Sequence, residues 1–233
     1  MIAKDVMTTA VVTVRAQTSV EDVARLLLKR RISGVPVVDA KGRLQGIVSE
    51  GDLIRRAESR TKSHRSWWLD LLAGPDDTAS DYVKSHGRTA GDVMTREVIT
   101  VGERTPLAKI ATLLERHRIK RVPVLRTGKV VGIVSRANLL HALVAQKTGR
   151  GKVAVSDRQI RSRLLKELDN AGVDKAYVNI VVANGEAEFW GFVESEAQKR
   201  ALRVAAQNVK GVKRLVSHVT VMPPMVLASM GAQ

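Results

Sequence analysis

Hydrophobic positions in the first 150 residues come in short runs that switch between two periods. Val11 to Val14 is a β-rich segment, and Thr18 with Glu21 predicts a capping box opening a helix with Val20, Val23, Ala24, Leu27 and Leu28 on one face. Val35 to Val38 and Leu44 to Val48 predict two strands around Lys41-Gly42, and Gly51-Asp52-Leu53-Ile54 opens a second helix. The result is a β-α-β-β-α unit of roughly 55 to 60 residues, near the lower limit for an independent core.

The unit occurs twice. Asp5-Val6-Met7-Thr8 returns as Asp92-Val93-Met94-Thr95, and Ile32 to Val38 returns as Ile119 to Leu125, both at a spacing of 87. Gly46-Ile47-Val48-Ser49 returns as Gly132-Ile133-Val134-Ser135 at 86, the lost residue falling in the turn, where Asp39 to Gly42 faces Arg126 to Gly128. In the second copy Thr105 is the expected cap and Pro106 the first helical residue. Two copies that bury their sheets together form a pseudo-twofold pair.

Between the copies, Trp67 to Leu72 reads as a short amphipathic helix ended by Gly74-Pro75, and Asp77 to His86 as another. Thr148 to Lys152 is a glycine-rich basic linker. Beyond it, Ser156 with Gln159 predicts a capped helix carrying Ile160, Leu164, Leu165 and Leu168. Tyr177 to Val182 and Ala187 to Val193 predict strands around an Asn184-Gly185 hairpin turn. Ser195 with Gln198 caps a helix through Ala201, Val204, Ala205 and Val209, Gly211 stops it, and Val212 to Val221 is the last strand. The expected fold is therefore mixed α/β (α+β): two β-α-β-β-α units and a small α-β-β-α-β sandwich. The boundaries read 1–62, an insert at 63–88, 89–147, a linker at 148–152, 153–223 and a tail at 224–233.

With only 3% aromatic residues, the core must be built from Val, Ile, Leu and Ala. The absence of Cys excludes disulfides, thiolate metal sites and cysteine nucleophiles. No signal-peptide pattern opens the sequence and no run of about 18 apolar residues occurs, which predicts a soluble cytoplasmic protein. The net charge is +16, with 27 of the 39 Lys and Arg in the first 150 residues, a field that attracts nucleotide phosphates, nucleic acid and anionic membranes alike.

Asp-Val-Met-Thr, Val-Pro-Val and Gly-Ile-Val-Ser-x-x-Asp, in this order and doubled, resemble the CBS (cystathionine-β-synthase-type) domain family over residues 1 to 147. The resemblance implies a disc-like module, often a homodimer, that binds AMP, ATP or related adenosyl ligands in clefts between its two sheets. The side chains suit that chemistry. Ser49 and Asp52 stand at a strand-to-helix junction, where free N–H groups favour phosphate, a Ser hydroxyl can donate to it, and a carboxylate can accept from a ribose diol. Ser-x-x-Asp at such a junction is also an ordinary helix cap. Adenine is expected against Val12, Val35 and Pro36, with its polar edge read near Ser33 and Gly34. The second unit offers Ile99, Lys120, Arg121, Val122, Pro123, Ser135 and Asn138, with Lys120 and Arg121 as phosphate partners and Asn138 a weaker ribose acceptor than Asp52.

Val181-x-x-x-Gly185, Phe189-x-Gly191-x-Val193, Ala205-Ala206 and Val209-x-Gly211-Val212 resemble the BON (bacterial OsmY and nodulation) family over residues 153 to 223. This implies attachment to a phospholipid surface or a protein partner, peripheral to the membrane. The tail Pro223 to Leu227 is apolar but too short to span a bilayer. No nucleophile-base pair, paired carboxylates or metal cluster has a recognisable spacing, and His117 and His141 lack an acidic partner at i+4, so an energy-sensing regulatory protein is expected rather than an enzyme. Nucleic-acid binding through Arg30-Arg31, Arg55-Arg56, Trp67 and Trp68 is a weaker alternative, as is an interaction module with empty clefts.

Overall fold

The computed structural model describes residues 1–54, 87–147 and 155–222. The readings made for Arg55-Arg56, Trp67 to Leu72, Asp77 to His86, Thr148 to Lys152 and Pro223 to Leu227 lie outside the described residues. The chain divides into two compact units, Val12–Val98 and Met1–Val11 with Ile99–Gln233.

In the unit Val12–Val98, helix α2 (Val20–Arg30) packs on the hairpin of β1 (Gly34–Val38) and β2 (Leu44–Ser49), and a helical turn opens at 50–54. Of the segment predicted at Val11 to Val14, only Val14 pairs, in a parallel bridge to Val37. The helix start is also corrected. Thr18 Oγ1 accepts the Arg15 N–H in the preceding turn, so Ser19 is the cap, accepting the Asp22 N–H at 3.0 Å. Val20, Val23 and Leu27 enter the core with Val35, Val37 and Val48, whereas Leu28 is 79% exposed, one position around the helix from the buried stripe.

The opposite edge of this hairpin is covered by α3 (Ala90–Val93) and the residues after it. Ile47 and Thr95 exchange both backbone hydrogen bonds, at 3.0 and 2.9 Å, and Met94 lies across Gly46. A Cβ on Gly46 would stand 2.5 Å from Met94 Sδ and 2.9 Å from the Thr95 carbonyl oxygen. Glycine is required by this close approach rather than by a turn.

The larger unit repeats the construction with the other copy of the motif. Its sheet runs β3 (Val101–Gly102), β4 (Arg121–Arg126), β5 (Lys129–Ser135), and its free edge is bridged by Thr8 to Ile133, with Met7 of the segment after α1 (Ala3–Val6) lying on Gly132. Each Asp-Val-Met-Thr motif thus completes the sheet of the other repeat. Helix α4 (Leu107–Arg116) buries Ile110 and Leu114. Its start differs from the expectation: Pro106, at ψ 143°, is the extended cap residue, and Thr105 Oγ1 accepts from Gly102 N instead. An arginine with positive φ follows each repeat helix, Arg31 as the cap of α2 and Arg118 one residue past the His117 cap of α4.

After α5 (Arg136–Lys147), the chain forms α6 (Val155–Asn170), β6 (Val178–Ala183), β7 (Glu186–Val193), α7 (Glu196–Asn208) and β8 (Arg214–Val221), in the α-β-β-α-β order expected. The sheet order is β6-β7-β8, antiparallel then parallel. Ser195 caps α7 as expected, but α6 already begins at Val155, which places Ser156 inside its first turn rather than at its cap. Asn184 and Gly185, at φ 53° and 80°, make the hairpin turn, and the buried Asp157 carboxylate accepts both of their N–H groups. Leu164, Leu168, Phe189 and Leu202 fill the core on one face of the sheet.

The other face of β6 docks on the second repeat, so the whole strand is buried. Val181 joins the core of Val6, Ile110 and Val134. The C-terminal carbonyls of α1, which have no partners within so short a helix, are taken by side chains from three elements. Val6 O accepts from Asn138 Nδ2 of α5 at 3.1 Å and Asn179 Nδ2 of β6 at 2.8 Å, and Met7 O accepts from Arg161 Nη2 of α6 at 2.7 Å. Nearby, His141 stacks on Trp190 and Trp190 on His218, at 4.8 and 3.7 Å between ring centres. Burial pushes the His141 imidazole below its usual range, partly opposed by the Asn179 amide.

Two stability measurements test this packing. Gly46→Ala should cost about 1–3 kcal/mol in urea denaturation, the usual range for overpacking. Asn138→Asp should cost about 1–3 kcal/mol, because a carboxylate cannot donate to the Val6 carbonyl, whereas Asp52→Asn at the matching half-buried position should cost less.

Candidate functional site

Hairpin register gathers the predicted polar residues at one end of each sheet. In the unit Val12–Val98, Gly34 pairs with Ser49 and Glu50 N donates to Ser33 O at 3.2 Å, so Ser33, Gly34, Ser49 and Asp52 share the strand-to-helix junction. Val14 N donates to Pro36 O, and the half-buried Val12 packs against the core of that unit. In the larger unit Arg121 pairs with Ser135 and Arg136 N donates to Lys120 O at 3.1 Å, while Ile99 precedes the parallel pair Val101 and Val124. The two junctions are built alike.

Their polar groups are engaged in local caps, reciprocal at the second junction, where Asn138 N also donates to Ser135 Oγ at 3.3 Å. Asp52 Oδ2 accepts from Ser49 N at 2.8 Å and from Ser49 Oγ at 2.7 Å. Asn138 Oδ1 accepts from Ser135 N and Oγ, both at 2.7 Å. The capping role that Ser-x-x-Asp allows is therefore present, and it orients one face of the Asp52 carboxylate while the residue stays half-buried.

Three predicted site residues are placed differently from the expectation. Val35 and Val122, at 0% exposure, are spent on the two cores, so Pro36 and Pro123 beside them and the partly exposed Val12 and Ile99 form the apolar margin of each junction. Asn138 is 4% exposed, with its amide hydrogens turned to Val6 O. Its side chain ties α5 to α1. Lys120 is exposed and Arg121 half-buried at the same junction, so cationic groups stand where Ser33 and Gly34 stand in the first copy.

Sequence reasoning did not single out Arg158 and Arg161, three residues apart on α6. Arg158 makes a two-point pair with the buried Asp5, at 2.7 and 3.2 Å, and Arg161 donates to Ile180 O and Met7 O. Their one visible signal was an arginine, Arg161, at i, i+3 and i+7 spacing with Leu164 and Leu168 on the apolar side of α6.

Among the described residues no helix is long and apolar enough to cross a membrane. The CBS domain family matches residues 3–59 and 90–145, and the BON domain family matches residues 156–223. MJ1426, an uncharacterised protein of Methanocaldococcus jannaschii, is 34% identical over 155 residues, covering 62% of this chain and 92% of that protein. CBSX2, a chloroplastic CBS domain-containing protein of Arabidopsis thaliana, is 31% identical over 142 residues, 58% of this chain, and the match spans only 59% of its length. A crystal structure of CBSX2 in complex with AMP superposes with a TM-score of 0.55 at 30% identity, over 63% of this chain and 98% of that one. The chain belongs to the CBS-domain family, as a tandem CBS pair followed by a BON domain.

Proposed function

We propose that this chain is a non-catalytic regulatory protein that binds an adenine nucleotide of the AMP, ADP or ATP class at the strand-to-helix junctions of its CBS units. The observation that carries the reading is the junction of Ser33, Gly34, Ser49 and Asp52, held together by the Gly34 to Ser49 pairing and the Ser49–Asp52 hydrogen bonds. The AMP complex of CBSX2 supports the choice of ligand. Asp52 accepts from the ribose hydroxyls, and the N–H groups opening the next helix face the phosphate. Ser49 must rotate its proton from Asp52 toward a phosphate oxygen, which exchanges one hydrogen bond for another.

The second junction plays a different part. Asn138 is committed to Val6 O, so ribose recognition is weaker there, while Lys120 and Arg121 supply charge for phosphates. A nucleotide that prefers one arrangement of the chain shifts it toward that arrangement and so reports the adenylate state. In this reading the BON domain transmits the change to a protein partner or a phospholipid surface. Leu140, Leu143 and Val144, exposed on one side of α5, support self-association as a homodimer.

Isothermal titration with AMP, ADP and ATP tests the site. Asp52→Ala should lose about 1.5–3 kcal/mol of binding, roughly 10- to 150-fold in Kd, with the fold retained. Unchanged affinity in a folded Asp52→Ala protein would reject the role of this carboxylate.

A further inference from the structure

Within the larger unit, a cavity of about 260 Å³ opens between α1, the β4–β5 sheet and α6, away from the residues assigned to the nucleotide. Its lining includes Lys4, Glu103, Arg126, Arg158, Arg161 and Ser162. Four cations thus face one carboxylate on the wall, with Asp5 as a second carboxylate behind Arg158.

The pairing of these charges is uneven. Arg126 holds Glu103 through two hydrogen bonds of 2.6 Å, which keep the Glu103 carboxyl below its usual range and therefore ionised at neutral pH. Arg158 is matched by Asp5 at 2.7 and 3.2 Å. Two positive charges are left over. The Lys4 ammonium is exposed and makes no hydrogen bond or close ion pair among the described residues, its charge adding only to the field that lowers Glu103. The Arg161 guanidinium is 6% exposed and donates from Nε and Nη2, both to backbone carbonyls; Nη1 makes no hydrogen bond among the described residues.

A buried cation hydrogen-bonded only to carbonyls is costly, and desolvation lowers the Arg161 pKa to about 10, with the charge of Asp5, itself paired with Arg158, acting against the shift. An anion in the cavity would remove that cost. We propose that this cavity is a binding site for a phosphoryl dianion, held by the planar guanidinium of Arg161 and the Lys4 ammonium, with the Ser162 hydroxyl as a further donor. The excess of two positive charges matches a phosphate monoester, and guanidinium recognises its oxygens with fixed geometry. The volume lies below the roughly 300–1,000 Å³ of drug-sized sites, which suits a compact headgroup or a free phosphate rather than a whole nucleotide. Because the walls come from α1 of the CBS part and α6 of the BON part, an occupant would brace their junction.

The test uses the full chain and three probes at fixed ionic strength. Inorganic phosphate and glycerol 3-phosphate are titrated by ³¹P NMR, and vesicles with and without phosphatidic acid are used in flotation. Saturable binding of the soluble probes, weakened at least about fivefold by Lys4→Ala, is expected for a free phosphate ligand. Flotation only with phosphatidic acid vesicles, and reduced by Lys4→Ala, would instead identify the phosphoryl group as a lipid headgroup. Arg161→Met should abolish binding where it folds, and Ser162→Ala, at an exposed position, should reduce it in either case. Absence of saturable binding with all three probes, or binding that both Lys4→Ala and Ser162→Ala leave unchanged, would overturn the proposal.

Discussion

The carbonyl oxygens at the end of α1 form the junction on which the larger unit depends. A one-turn helix cannot satisfy its own C-terminal carbonyls, and here they are buried away from water. Asn138, Asn179 and Arg161 reach them from α5, β6 and α6, so one set of hydrogen bonds joins the N-terminal segment, the second CBS repeat and the BON domain. Loss of Arg161 would leave the buried Met7 O unpaired, a cost of about 1–3 kcal/mol, whereas Val6 O keeps one donor when either asparagine is lost. The docking is thus polar and directional as well as apolar.

The same requirement explains why the two repeats differ where they would otherwise be alike. At position 52 a carboxylate accepts from Ser49 N and Oγ. At position 138 the side chain accepts from Ser135 and donates to Val6, which the Asn138 amide does and an ionised carboxylate cannot. The amide at 138 is therefore accounted for by its bond to α1. The glycines at 46 and 132 are a second shared constraint, since a methionine lies directly on strand backbone at each. The exchange of Asp-Val-Met-Thr motifs between repeats depends on that space.

Much of this was legible in the sequence, for identifiable reasons. The spacing of 87 fixed the equivalence of the repeats, and alternation around Asn184-Gly185 located the BON hairpin. Helix starts were less legible because several hydroxyls competed to cap them: Thr18 and Thr105 were drawn into preceding turns, and neighbours took their place. The gathering of Ser33, Gly34, Ser49 and Asp52 followed from the hairpin register. Burial of Val35, Val122 and Asn138 did not, because burial depends on long-range partners. Nothing local in Asp5-Val6-Met7 indicates that it completes the sheet of a repeat more than a hundred residues away, or that Arg158 pairs with Asp5.

The account rests on nucleotide occupying the junction at Ser49 and Asp52. Hydrogen-deuterium exchange of the full chain with and without saturating AMP measures this directly, by reading backbone amides segment by segment. Slowed exchange at residues 33–36 and 49–53, beyond any change in the BON strands, is the result the account predicts. Unchanged exchange at both segments under AMP would contradict it and leave the Ser49–Asp52 hydrogen bonds with a capping role alone.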